Sequence, residues 1–174
     1  MCVMEKNVAK LVREVMDKGR VMSLGVVDKK GPWVAVLNYV YDDAFNVYWI
    51  SNSRTRHSAA IMKNGKAAAS VYLNDAYVKK ESPASAGDKF YIFRICVQME
   101  GKARKIKTDE IKHNKEVFSL VLKHRKLAPY EKGYTLSVKN NSWYMLTPSK
   151  IELIYEPVFG LKRQLLKLPL KKSK

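Results

Sequence analysis

Apolar positions recur along this chain in two rhythms, one of three to four residues and one of two. Between residues 4 and 18, Val8, Leu11, Val12 and Val15 return at helical spacing, which puts them on one face of a helix. Gly19 follows where a helix commonly ends in the left-handed conformation. This helix is expected to pack across a sheet or over one end of a barrel. From Arg20 to Asp28 (RVMSLGVVD) the pattern is that of a strand, and Lys29-Lys30-Gly31-Pro32 marks a turn.

The stretch from Pro32 to Val71 carries the clearest sequence of signals. An apolar, β-branched and aromatic run (Trp33 to Tyr41), a turn at Asp42 and Asp43, and a second run (Val47 to Ile50) together predict a β-hairpin. Ser51-Asn52-Ser53-Arg54-Thr55-Arg56-His57 then stands where a helix starts, with Ser53 or Thr55 as its cap. Free backbone N–H groups, the positive end of a helix dipole and a guanidinium are the parts of a phosphate seat. A solvated, capped helix start with incidental arginines reads the same way. The helix is expected to end near Asn64-Gly65, and Lys66 to Leu73 (KAAASVYL) is a further strand.

Residues 74 to 89, with Ser82-Pro83-Ala84-Ser85-Ala86-Gly87-Asp88, read as the most loop-like part of the chain. Phe90 to Ile106 is expected as one long strand. Gln98 and Glu100 share a face with Cys96, and Val97 and Met99 share the other, with a bulge or bend at Gly101. Lys107 to Lys126 predicts a single helix capped by Thr108, His113 and His124 lying on its charged side. Residues 128 to 142 read as irregular. Two short strands, Trp143 to Thr147 and Ile151 to Tyr155, are separated by Pro148-Ser149-Lys150. Helices occur only at the start, after the third strand and between the fifth and sixth, so the chain does not alternate as βαβ units. The fold class this implies is mostly β with peripheral helices, a small antiparallel barrel.

Composition narrows the classes. A chain of 174 residues with 47% hydrophobic content can bury one real core, which excludes a disordered chain. No apolar run approaches a membrane span. The first residues, MCVMEKNVAKLVREV, lack the uninterrupted apolar core of a secretory signal, so a cytoplasmic location is expected. Cys2 and Cys96 make neither a disulfide framework nor a metal-ligand spacing. The net charge of +17 suits an anionic partner, whether nucleic acid, membrane surface or small ligand. For nucleic acid the charge is the only argument. The last eighteen residues carry six positive charges and no acid, and leucines at 161, 165, 166, 168 and 170 predict a short basic helix. It is expected to dock on the barrel, or else at an anionic membrane surface.

In order, Gly31-Pro32-Trp33-Val34, Leu37-Asn38-Tyr39, Tyr41-Asp42-Asp43, Tyr48-Trp49-Ile50-Ser51, Thr55-Arg56-His57-Ser58, Lys63-Asn64-Gly65-Lys66 and Val97-Gln98-Met99-Glu100-Gly101-Lys102-Ala103 form a recognisable set. The set resembles the pyridoxamine 5'-phosphate oxidase-like split-barrel flavoproteins over roughly residues 4 to 155. The resemblance implies an FMN-binding split β-barrel of Greek-key type over residues 1–156, with a basic extension at 157–174. It implies a homodimer with FMN in the subunit interface. Arg56 and His57 match the positions that hold the flavin phosphate, and Ile50 and Ser51 the strand end beside it. Leu37 and Asn38 match the strand whose edge faces the isoalloxazine. Gln98 lies near a glutamine that contacts the ring, and Lys66 matches a basic position just past the helix. His57 stands where vitamin-oxidising members carry lysine, and their Arg-Leu-Ala-Pro ending is missing. Pyridoxamine phosphate oxidation itself is therefore not the expected reaction.

Catalytic residues are not legible, because a flavin carries its own redox chemistry and asks the protein mainly for binding and orientation. No G-x-S-x-G, H-E-x-x-H, P-loop or G-x-G-x-x-G occurs, and no metal site is expected. The expectation is an FMN-dependent oxidoreductase acting on a small substrate. The alternatives are a non-catalytic flavin or haem module and an F420-dependent reductase on the same fold.

Overall fold

The computed structural model describes residues 3–73, 78–79, 91–127 and 141–168. An amphipathic helix, α1 (Val3–Lys18), leads into β1 (Val21–Asp28) and β2 (Gly31–Asn38), which pair as an antiparallel hairpin. β3 (Val40–Tyr41), β4 (Val47–Asn52), α2 (Arg56–Asn64) and β5 (Lys66–Tyr72) follow. β6 (Val78–Lys79) and β7 (Tyr91–Ile92) pair with each other. β8 (Ile95–Lys105), α3 (Thr108–His113), α4 (Lys115–Leu127), β9 (Asn141–Tyr155), α5 (Glu156–Phe159) and β10 (Gln164–Leu166) complete the described chain. The main sheet runs β2-β1-β5-β8-β9-β4-β3, with β10 added to β9, and every pairing in it is antiparallel. It curls into a split β-barrel.

The core follows from alternation. β1 and β5 bury every second residue (Met22, Leu24, Val26; Ala67, Ala69, Val71) and leave the others exposed or half-buried. Val8, Leu11, Val12, Val15 and Met16 of α1 join the same cluster with Trp49, Tyr144, Ile151 and Leu153. Cys96 is buried, the small core residue its surroundings suggest.

The structure departs from the expected elements in several places, each for a local reason. The run from Trp33 to Tyr41 is two strands. β2 pairs with β1, and only Val40 and Tyr41 reach β4. Asp42 closes that turn by accepting the N–H groups of Ala44 and Asn46. The expected helix over 107–126 breaks at Asn114, whose side chain accepts the N–H groups of Glu116 and Val117 and so starts α4 afresh. Thr108 lies inside α3, and the cap position is Lys107. The two last strands are one. Pro148 stands opposite Gly101, and a register shift beside Gly101 absorbs the extra residue. A Cβ on Gly101 would lie 2.1 Å from the Thr147 carbonyl oxygen, so only glycine allows this close approach. The basic C-terminal run forms one turn of helix and β10 instead of a longer helix. His124 is buried, edge-on to Trp143 at 5.1 Å, and not on a solvated face. Most of the 74–89 loop, residues 128–140 of the irregular stretch and Cys2 lie outside the described residues.

Candidate functional site

β4 ends at Asn52 and α2 begins four residues later at Arg56, so the end of a buried strand and the start of a helix meet. Ser51, Thr55, His57 and Ser58 form one hydrogen-bonded cluster at that junction. His57 Nε2 lies 2.7 Å from Ser51 Oγ and 3.1 Å from Thr55 Oγ1. Thr55 Oγ1 lies 2.9 Å from both the Asn52 carbonyl oxygen and Ser58 Oγ. Thr55 occupies the cap position but makes no side-chain cap. The first backbone bond runs from the Ala59 N–H to the Thr55 carbonyl. First-turn N–H groups without a side-chain cap are the donors an anion meets at a helix start.

Two charges decide what this junction can hold. Burial pushes the His57 imidazole below its ordinary pKa, so at neutral pH it is an uncharged hydrogen-bonding group. Arg56, the neighbouring cation, is already engaged. Its Nε and Nη2 donate to the two carboxylate oxygens of Asp28, both at 2.9 Å, and Nη2 also donates to the Gly31 carbonyl. The guanidinium lies over the Trp33 ring, 4.9 Å from its centroid. The Arg56 hydrogen bonds hold the Asp28 carboxyl down at about 2. Nη1 is the nitrogen left outside these bonds. The arginine is thereby clamped to the β1–β2 turn.

The remaining sequence candidates spread over neighbouring surfaces. Ile50 lies one residue before Ser51 and pairs with Trp143 across β4 and β9. Leu37 packs against the core from the end of β2, beside half-buried Asn38. Gln98 lines a groove of about 390 Å³ on the outer sheet face with Ser23, Ser70 and Glu152. Lys66 follows Gly65 at the C-terminal end of α2, about 13 Å from the helix start for a nine-residue helix. It lines a second groove, of about 1100 Å³, with Trp33, Lys102 and Pro148. The structure thus gathers Ser51 and His57 at one junction, turns the Arg56 guanidinium to the β1–β2 turn, and leaves Lys66 and Gln98 on the outer face. Gly25, Val34, Ala68 and Glu100 line both grooves, so the two are continuous. Among the described residues no cluster of His, Cys, Asp and Glu could hold a metal.

Asp28 is the participant that sequence reasoning missed. Asp28 reads as the polar end of a strand, and only the hairpin turn brings it to Arg56, twenty-eight residues away. Trp33 reads as one aromatic among several, yet it is 42% exposed while Trp49 is fully buried.

An antiparallel sheet curled into an open barrel, with a helix starting at the end of β4 beside an arginine and a hydroxyl cluster, defines a split-barrel protein. The chain belongs to the pyridoxamine 5'-phosphate oxidase family, whose model matches residues 9–154. Among curated proteins none matches the chain. Solved structures share the fold at low identity. A haem-binding protein from Mycobacterium smegmatis is 14% identical with a TM-score of 0.64, over 90% of this chain and 56% of that one. The haem storage protein HutZ from Vibrio cholerae is 13% identical with a TM-score of 0.59, over 82% of this chain and 91% of that one. General stress protein 26 from Bacillus anthracis is 13% identical with a TM-score of 0.55, over 92% of this chain and 99% of that one.

Proposed function

We propose that the protein binds FMN at the β4–α2 junction and acts as a flavin-dependent oxidoreductase on a small substrate. The observation that carries this reading is the helix start without a side-chain cap, ringed by Ser51, Thr55 and Ser58, with Arg56 beside it. The donor set that supports a phosphate is the backbone N–H groups of the first turn, the half-buried Thr55 hydroxyl and the Nη1 of Arg56 that lies outside its bonds to Asp28 and Gly31. Its charge is modest, because His57 is neutral and Arg56 is shared with Asp28. When bound, FMN would supply the electron or hydride transfer. Arg56, Ser51 and the α2 start would orient the phosphate. Leu37, Asn38 and Gln98 border the strands along which the ring would lie, and exposed Trp33, Val34 and Val36 would help to exclude water from it.

The second protomer belongs to the same reading. β2 is an edge strand of apolar sequence whose Trp33, Val34 and Val36 are 42%, 59% and 68% exposed. A second copy packed there would form a homodimer and close the cofactor cleft.

Haem is the second reading, supported by the two haem proteins that share the fold. His57 Nε2 already lies 2.7 Å from Ser51 Oγ, so that ring nitrogen would have to give up this contact to hold haem iron. For F420 the net charge of +17 is the argument, since it suits a polyanionic tail. The visible spectrum of the purified protein, with mass analysis of what denaturation releases, separates these readings. Flavin bands and released FMN are expected. A Soret band would transfer the proposal to haem, and a colourless protein that takes up no added FMN would end it.

A further inference from the structure

Lys66 and Lys102 stand directly opposite each other across β5 and β8, both exposed on the outer sheet face. Like charges at directly opposed positions work against strand pairing. Lys150 and Arg104 of this sheet do meet acids, Glu152 and Glu110, while exposed Lys105 at the end of β8 meets none. Neither Lys66 nor Lys102 has an ion-pair partner among the described residues. A locally unfavourable arrangement without local compensation marks a place where something else supplies the counter-charge.

The surroundings have the shape of a ligand site. The pair flanks the groove of about 1100 Å³, whose floor is made shallow by Ala68 and Gly101 and whose wall carries Val34 and Pro148. Gly101 is where any Cβ would strike the backbone of β9. Arg104 lines the groove as well, and Glu100 is the acid there, so cations outnumber carboxylates. An apolar wall beside a few charged groups is the usual make-up of a small-molecule pocket.

We propose that this groove is a ligand site distinct from the β4–α2 junction. It takes a small molecule with closely spaced oxyanions, phosphoryl or carboxylate. The oxyanions sit between the Lys66 and Lys102 ammoniums, and the rest of the molecule lies along Val34 and Ala68 of the same sheet face.

Thermal unfolding of the purified protein with inorganic pyrophosphate and, separately, with citrate tests this. At tenfold excess over Kd either ligand should raise Tm by about 3 °C. A response to pyrophosphate alone assigns phosphoryl chemistry, and one to citrate alone assigns carboxylate chemistry. Lys102→Gln should abolish the ligand shift while slightly raising the Tm of the unliganded protein, because it removes the opposed charge. Arg56→Gln should keep the shift. No shift with either ligand, or an undiminished shift in Lys102→Gln, overturns the proposal. A shift lost in Arg56→Gln but kept in Lys102→Gln would also overturn it, and would place the anion at the α2 start.

Discussion

Arg56 is held by Asp28 and Trp33 before any ligand arrives, and that pre-organisation has a measurable pH signature. The Asp28 carboxyl titrates at about 2 in the folded protein against an ordinary 3.8. Its contribution to stability is therefore fully present above about pH 4 and is lost as pH falls toward 2. Asp28→Asn should flatten the acid limb of a stability-versus-pH curve in that window, measured by urea unfolding. An unchanged limb would mean the pair contributes nothing in solution. His57 works with the same sign: its pKa is lowered by burial, so it stabilises above its ordinary pKa and costs stability when acid forces a charge on it. Proton NMR of the imidazole should show a midpoint below 6.5. Sequence alone pointed to Arg56 and His57 as neighbours at a helix start. It could not show that a carboxylate twenty-eight residues earlier would claim two of the guanidinium nitrogens, because that contact depends on the β1–β2 turn.

The elements were legible where rhythm is strong and unclear where one side chain interrupts it. α1, β1, α2 and β5 follow their apolar periodicity within a residue or two. The 107–126 stretch keeps a helical pattern throughout, yet Asn114 offers its own carbonyl to the next turn and splits it. Asn114→Ala should cost about 1 kcal/mol in chemical unfolding through loss of that cap. β9 shows the opposite case. Pro148 suggests a break, but a bulge against Gly101 lets the strand continue through it. Gly101→Ala should destabilise by about 2–3 kcal/mol, because its Cβ meets the rigid backbone at Thr147. A loss below about 0.5 kcal/mol would show that β9 can move aside there.

At the scale of the whole molecule, pairings such as Val47 with Leu146 join segments about a hundred residues apart. No local pattern encodes them, and the ordered set of family motifs stood in for them. Nor does alternation reveal an outside face that is itself apolar. β2 reads as the apolar first strand of a hairpin, and the structure places it at the sheet edge with Val34 and Val36 exposed on its outer face. If a second copy covers this face, Val36→Lys should shift the protein from dimer to monomer in sedimentation and weaken any bound flavin with it. A monomeric parent protein would remove the shared-cleft part of the proposal.

The central claim is that the β4–α2 junction holds a flavin phosphate. Parallel fluorescence titrations with FMN and riboflavin, which differ by that phosphate, test it most directly. FMN should bind at least about tenfold more tightly, the 1.5–3 kcal/mol of a hydrogen bond to a charged group, and Arg56→Gln should erase most of the difference. Equal affinity for the two flavins, or a preference for FMN that survives loss of Arg56, would contradict the account.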